Sequence, residues 1–377
     1  MTSYKEITVI SYNISVFSAM GFFGQTVKAS YDTPPKPVND SDQGYYPSEA
    51  RFLRRAEKEK EYFNNAVDHL CNQIADLKPS FIGIQEFYPE TFDELQQRIN
   101  KANPDADYEF VQFEYDIFNS AKTLTVFDKN VFGGMDRRYE ADLGYTKQGD
   151  DYMFNTTAKP GDKGRPITII KTAKGFFLMN FHGPNRPRLN GKGEETGIEV
   201  SGLLKTALQI HIFNAGIEFG EQIDTTKLII TCDSNDRAHG INIDNPLVLN
   251  DQIFHDGHKS REGAKSCCYN RDSCGIDEPS ELYESLGVDG AEKKYIYTGD
   301  YVLANNFEKE VTPIDSPQDM DGASKASDHR MVYAVVKIPF TGGKKTSKHR
   351  HHKKTLKRYR KTTKKTKQSK KGRKSRK

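Results

Sequence analysis

The sequence predicts a mixed, layered α/β domain followed by a basic tail. Three observations carry that prediction. Short β-branched apolar runs alternate with stretches of helical period, two of those runs lie close enough to form a hairpin, and the charge changes sign near residue 342. Interleaving alone would suit a doubly wound parallel sheet. The hairpin requires antiparallel neighbours, so the sheets are expected to be mixed.

Glu6–Asn13 (EITVISYN) is apolar and β-branched and reads as the first strand. The segment "YDTPPKPVNDSDQGYYP" then reads as a long loop. Ser48 is a helix N-cap candidate, and Phe52, Leu53, Ala56, Phe63, Val67, Leu70 and Ile74 follow at helical spacing. Pro79 forbids continuation, and Phe81–Ile84 starts a buried strand ending at Gln85-Glu86. Thr123–Phe127 reads as a strand, and "GGMDRRYEADLGYTKQGDD" as turns and loop. "RPITIIKTAKGFFLMNFH" is a hairpin turning at Ala173-Lys174-Gly175. Residues 195–219 form a helix whose buried side is predicted as Val200, Leu203, Leu204, Ala207, Leu208, Ile210 and Phe213. Lys227–Thr231, Tyr295–Ala304 and Met331–Ile338 complete the strands.

Residues 342–377 hold 19 Lys and Arg and no Asp or Glu, so the remainder carries 37 basic against 52 acidic residues. The chain thus divides into an acidic body, 1–341, and a tail, 342–377, too charged and too poor in apolar residues to fold alone. An acidic body acting on phosphates would need a cation. No run has the length of a membrane span, and the N-terminus shows no signal-peptide pattern, which predicts a soluble, intracellular protein. Five irregularly spaced cysteines do not suggest a secreted disulfide framework.

Polar residues gather at the predicted strand ends: Asn13, Glu86, His182 with Asn185, Asp233 with Asn235, and Ser327-Asp328-His329. Singly, Asn13 or the Asp233/Asn235 pair reads as a turn residue. Jointly they suggest one site, because loops converge at strand ends in layered α/β folds.

The ordered set "ISYNIS", "IGIQEF", "NFHGPN", "CDSND", "GDYVLAN" and "ASDHR" resembles the endonuclease/exonuclease/phosphatase superfamily over residues 6–338. The resemblance implies a four-layer αββα sandwich with two mixed β-sheets, and metal-assisted hydrolysis of a phosphate ester with Mg²⁺ or Mn²⁺. It implies Glu86 and Asn13 as metal ligands with Asp328 in support, and Asp233 as the group that orients or deprotonates water. Asn235 and Asn185 would hold the phosphate with His182. His329 would donate to the phosphoryl group as imidazolium, charged and fixed by Asp300. Cys232 stands where the family usually has glycine, and its acidic neighbours argue against a nucleophilic thiol. Nothing is assigned from residues 110–164.

His255, His258, Cys267, Cys268 and Cys274 match no standard zinc spacing, and that segment reads as a long loop. Arg186, Arg188 and Lys192 are candidates for flanking phosphates or plain solvated loop charges. The tail favours a nucleic-acid phosphodiesterase, since dense Lys and Arg attach to phosphates without sequence preference. It would equally suit an anionic membrane, nuclear import or packing into a virus particle, and no stable protein partner is implied, so a monomer is expected. An inositol-phosphate or sphingolipid phosphoesterase is the alternative, although the absence of Trp speaks against its inositol branch. A non-catalytic nucleic-acid-binding or packaging protein on the same fold is a third reading, opposed by the presence of Glu86, Asp233, Asp300 and His329.

Overall fold

The computed structural model describes residues 3–14, 49–114, 122–143, 145–148, 151–154, 165–183, 200–234, 247–249, 252–254, 266, 299–317, 326–327 and 329–340. The chain divides into two compact units, Lys5–Ile338 and a terminal unit of Met1–Tyr4 with Pro339–Lys377. Only Ser3, Tyr4, Pro339 and Phe340 of the terminal unit are described, as strand ends. The tail expected at 342–377 lies outside the described residues. Among these, no helix is long and apolar enough to cross a membrane.

In chain order the elements are β1 (Ser3–Asn13), α1 (Glu49–Leu77), β2 (Phe81–Phe87), α2 (Phe92–Ala102), β3 (Tyr108–Gln112), β4 (Lys122–Asp128) and the single turn α3 (Lys129–Phe132). Then come β5 (Met135–Asp142), β6 (Tyr145–Gln148), β7 (Asp151–Phe154), β8 (Pro166–Thr172), β9 (Phe177–His182) and α4 (Val200–Phe219). The last are β10 (Leu228–Asp233), β11 (Leu247–Leu249), β12 (Gln252–Phe254), β13 (Asp300–Leu303), β14 (Phe307–Ile314) and β15 (Met331–Phe340).

Six strands form one sheet in the order β14-β15-β1-β2-β4-β3, and five form another in the order β13-β10-β9-β8-β5. Both are mixed. β1 runs parallel to β2 and β9 to β10, while β2/β4, β8/β9 and β10/β13 are antiparallel. Three cores give four layers. One packs α1 and α2 on the six-stranded sheet through Val67, Leu70, Leu95, Ile82 and Ile84. A second packs α4 on the five-stranded sheet through Leu204, Leu208, Met179 and Ile230. The third lies between the sheets and joins Ile7, Val9 and Phe81 to Leu178, Ile229 and Val302. This is the αββα sandwich expected from the resemblance.

The strands place the site by simple alternation, since successive side chains point to opposite faces. On β1, Ile10 and Tyr12 enter the helix-side core while Ile7 and Val9 enter the inter-sheet core. The same inward face continues as Ser11, whose hydroxyl reaches the Cys232 carbonyl at 3.4 Å, and Asn13. β9 repeats the progression with Leu178, Asn180 and His182, and β10 with Ile229, Thr231 and Asp233. These inward faces thus run from apolar, through small or amide polar, to a site residue that is ionisable on β9 and β10 and an amide on β1.

Several sequence expectations change. "GGMDRRYEADLGYTKQGDD" is not turn and loop, because it contains β5 and β6. Its outer residues are exposed and charged and its inner ones include Glu140 and Asp142, so apolar alternation is hidden. Phe213 is exposed, not buried. The buried side of α4 instead follows Leu204, Ala207, Leu208, His211, Ile212, Ala215 and Phe219. α2, β3 and β14 were not foreseen, and Ser48 lies outside the described residues.

Candidate active site

Backbone pairing sets three ionisable residues in one row across the five-stranded sheet. Asp233 pairs with His182 on one side and with Asp300 on the other. All three are essentially fully buried, at 1%, 1% and 0% exposure. Across the gap the six-stranded sheet supplies Asn13, whose partner on β2 is Gln85, and then Glu86.

Strict alternation would send Glu86 to the helix side with Ile82 and Ile84. It does not go there. Glu86 adopts φ +53°, and the β2/β4 register breaks between Ile84 and Phe87. Phe87 takes the helix-side place in the core, and Glu86 is released toward the site. A left-handed conformation costs a non-glycine residue about 1–2 kcal/mol. The bulge is a local cost accepted where a carboxylate is re-aimed.

The groups converge, with neighbouring polar atoms between 2.8 and 3.8 Å apart. Asn13 Nδ2 donates to Asp233 Oδ2 at 2.8 Å and lies 3.4 Å from His329 Nε2. His182 Nε2 is 3.4 Å from Glu86 Oε1 and 3.6 Å from Asp233 Oδ2. His329 Nδ1 donates to Asp300 Oδ2 at 2.9 Å, leaving Nε2 3.8 Å from Asp233 Oδ2. Serines pin the backbone of this corner. Ser327 Oγ donates to the Asn13 carbonyl at 2.6 Å and accepts the His329 N–H at 3.1 Å. Ser316 Oγ donates to the His329 carbonyl at 2.6 Å. Ser266 Oγ accepts from the N–H groups of Gly299 and Asp300 at 3.1 and 3.0 Å. Gly183 closes the other corner, where a Cβ would stand 2.0 Å from the Ser234 carbonyl oxygen.

Beneath the rim the sheets are joined by a buried polar seam. Gln85 Nε2 donates to Ser11 Oγ at 3.2 Å and to Asn180 Oδ1 at 2.8 Å. Asn180 Nδ2 in turn donates to the carbonyls of Ile84 and Leu124 at 3.2 and 3.1 Å. Leaving such a buried group unpaired costs about 1–3 kcal/mol, so the seam fixes how the two half-sites face each other.

Burial holds the pKa of His182 well below the ordinary imidazole value, with Arg165 and then His329 adding to the effect. Cys232 faces away from the site into the α4-side core. Burial, followed by the charges of Asp233 and Asp300, pushes its thiol far up, which suits an inert filler. Among the described residues, one cluster offers ligand-type atoms within 4.8 Å of one another: Asp233, Asp300 and His329. By distance these atoms could hold a metal ion.

Of the residues singled out from sequence, Asn13, Glu86, His182, Asp233, Asp300 and His329 meet here. Asn185, Asn235, Asp328, the Arg186/Arg188/Lys192 group and the five residues His255, His258, Cys267, Cys268 and Cys274 lie outside the described residues. Sequence reading passed over Arg165, Glu140 and Asp142. Arg165 opens the same hairpin that His182 closes, so closure around Gly175 was a signal that the two ends meet.

No protein-family model matches the sequence, and no curated protein aligns with it significantly. Among solved structures the chain matches, over most of its length, proteins of the endonuclease/exonuclease/phosphatase class. A family member from Bacteroides thetaiotaomicron aligns at 12% identity with a TM-score of 0.47, covering 90% of this chain and 100% of that one. TDP2 from C. elegans aligns at 12% identity and a TM-score of 0.45, covering 88% and 75%. A mannosyl-6-phosphatase from B. thetaiotaomicron aligns at 12% identity and a TM-score of 0.44, covering 88% and 99%. No substrate follows from likeness at this level.

Proposed function

We propose that the protein is a divalent-metal-dependent phosphoesterase, and specifically a nuclease or nucleic-acid repair phosphodiesterase. The observation that carries this reading is the row Asp300–Asp233–His182 facing Asn13, Glu86 and His329 across the sandwich. Two carboxylates in different surroundings, with imidazole donors between them, match the division of labour in phosphate-ester hydrolysis.

The donor set fits a hard cation. Among the described site carboxylates Glu86 is the most exposed, with 21% of its side chain accessible, and the bulge aims it beside a buried histidine nitrogen that makes no hydrogen bond. Asn13 spends its Nδ2 on Asp233, which makes its amide oxygen the ligand-type atom. Glu86 and Asn13 would hold Mg²⁺ or Mn²⁺, with Asp328 as a supporting candidate. Although Asp300 and His329 are near enough to each other to ligate, they are already paired at 2.9 Å. A bound cation would supply positive charge to the phosphoryl oxygens and the leaving oxygen.

This chain's own groups then divide the remaining work. Asp233, oriented by Asn13, accepts the proton of the attacking water at its carboxylate. Asp300 keeps the His329 proton on Nδ1, so Nε2 is the atom that meets the substrate. His182 presents a second ring nitrogen to the phosphoryl group, with Asn185 and Asn235 as candidate donors to its oxygens. Nucleic acid is favoured as substrate because 19 Lys and Arg without acidic residues at 342–377 offset an acidic body.

The test is hydrolysis of plasmid, abasic duplex, single-stranded RNA, inositol polyphosphates and sphingomyelin in Mg²⁺, with and without EDTA. A nucleic-acid substrate, cleaved only with metal and at least about 100-fold more slowly by His329→Ala, is the expected result. Full activity in EDTA or in His329→Ala would sink the phosphoesterase mechanism. Turnover of the inositol or sphingolipid substrates alone would replace nucleic acid with those phosphates.

A further inference from the structure

Arg165 stands outside the set of residues just given roles, yet it touches the site. Its Nη1 lies 3.3 Å from Nδ1 of His182. A guanidinium has only donors, so the ring nitrogen facing it must be the acceptor. The proton of the neutral ring is then on Nε2. That nitrogen is buried, makes no hydrogen bond, and sits 3.4 Å from Glu86 Oε1 and 3.6 Å from Asp233 Oδ2. The opposite tautomer would set an N–H against the guanidinium and leave a lone pair between two carboxylates.

We propose that Arg165 is a positioning residue that confines the His182 ring proton to Nε2 and aims this N–H into the gap between Glu86 and Asp233. What the N–H is for rests on the phosphoesterase reading: it donates to a phosphoryl oxygen entering that gap. The tautomer itself does not rest on that reading. The hairpin makes the contact by construction. Arg165 immediately precedes β8, and its carbonyl accepts the Leu143 N–H at 2.7 Å, anchoring it at the sheet end where His182 closes β9. An arginine from the paired strand can therefore lock a histidine without occupying the substrate side.

The tautomer can be read directly in full-length protein labelled with [¹⁵N]histidine, using long-range ¹H–¹⁵N correlations. His182→Gln assigns the signal. The wild type is expected to show a single Nε2–H tautomer, Arg165→Met a mixture, and Arg165→Lys, which still donates, the wild-type pattern. In parallel, kcat should fall about 10- to 100-fold in Arg165→Met with KM nearly unchanged, and recover in Arg165→Lys. An Nδ1–H tautomer in an active wild-type enzyme would overturn the proposal while leaving the phosphoesterase reading intact. An unchanged tautomer in Arg165→Met, with only KM raised or only Tm lowered, would also overturn it, in favour of direct phosphate binding or simple packing. The expected tautomer pattern in a protein that hydrolyses no phosphate ester would uphold the positioning role and reject the function.

Discussion

At one end of the inter-sheet space, Ile7, Val9, Phe81, Leu178 and Ile229 meet in a wholly apolar cluster. Two to four residues further along the same strands, Ser11, Gln85, Asn180 and Thr231 fill the same gap with hydrogen bonds, and Asn13, His182 and Asp233 come after them. Strand, face and spacing are shared, and only the chemistry differs. The apolar end has bulk to exclude water and stabilises the sandwich at about 25 cal/mol per Å² buried. The polar end gains little net stability, because its hydrogen bonds mainly replace those to water. What it gains is geometry: the bonds from Gln85 to Asn180, from Asn180 to the Ile84 and Leu124 carbonyls and from Ser11 to the Cys232 carbonyl cross from one sheet to the other and fix the two half-sites against each other.

Substituting one residue at each end of the same strand tests that contrast most severely. On the proposed phosphoesterase reading, Asp233→Ala should lower hydrolysis about 10³-fold or more, with a small change in Tm, since that reading assigns the lost interactions to the reaction. Ile229→Ala, four residues earlier on the same face, should cost about 2–5 kcal/mol of stability and leave kcat per folded molecule unchanged. Urea unfolding and steady-state kinetics on both variants would settle the matter. Comparable loss of stability in the two would erase the distinction between the ends.

That distinction explains what the sequence disclosed. Strand ends were legible because β-branched runs stop at polar residues, as Ile230-Thr231-Cys232 stops at Asp233. The family-like order of those ends carried the sandwich and six convergent side chains. Two kinds of feature stayed hidden: whole strands, and the buried face of a helix that was itself foreseen. β5 and β14 are strands whose exposed faces carry Asp136, Arg137, Glu308 and Lys309, charges that suit solvent-facing edges and mask alternation. α4 failed in the opposite sense. Ile210, Phe213 and Ile217 make it apolar on every side, so period alone could not choose its buried face. The bulge at Glu86 had no signal, because a register break depends on how β2 meets β4. The Arg165–His182 contact likewise belongs to hairpin closure and to no local motif.

Gly83 marks a close approach of the two sheets within the polar seam. A Cβ there would stand 1.9 Å from Thr231 Oγ1, 2.5 Å from Thr231 Cβ and 2.9 Å from Asn180 Oδ1. No rotamer of Thr231 removes its own Cβ, so the sheets must separate or β2 must shift. Gly83→Ala is expected to cost about 3 kcal/mol, at the upper end for an added methyl in a packed interior. Because Thr231 and Asp233 share β10, kcat should fall as well, through displacement of a site residue the substitution does not touch. A variant with lowered Tm and unaltered kcat would show that seam and site are mechanically independent.

The smallest effect defines where the polar end stops being functional. Glu140 is buried on the inward side of β5, paired with Thr168, whose hydroxyl meets Thr123 of the other sheet at 3.4 Å. Its Oε2 accepts the Glu114 N–H at 3.2 Å, while Arg138 stays 3.9 Å from Oε1 and pairs with Glu114. Burial raises the Glu140 pKa above the ordinary carboxylate value, against the lowering by that N–H and by Arg138. A carboxyl whose folded pKa is raised contributes stability below its unfolded pKa, about 4.3, and loses it as pH climbs through the folded value. At pH 7 the wild type therefore bears the cost of a buried charge that Glu140→Gln lacks, while the amide oxygen can still accept from Glu114. The variant should melt about 2 °C higher at pH 7, with the gain vanishing below about pH 4. Activity should be unchanged if Glu140 belongs to the seam. A gain in Tm with a large loss of kcat would extend the active site to β5, and no gain at pH 7 would mean that Arg138 neutralises the charge in solution.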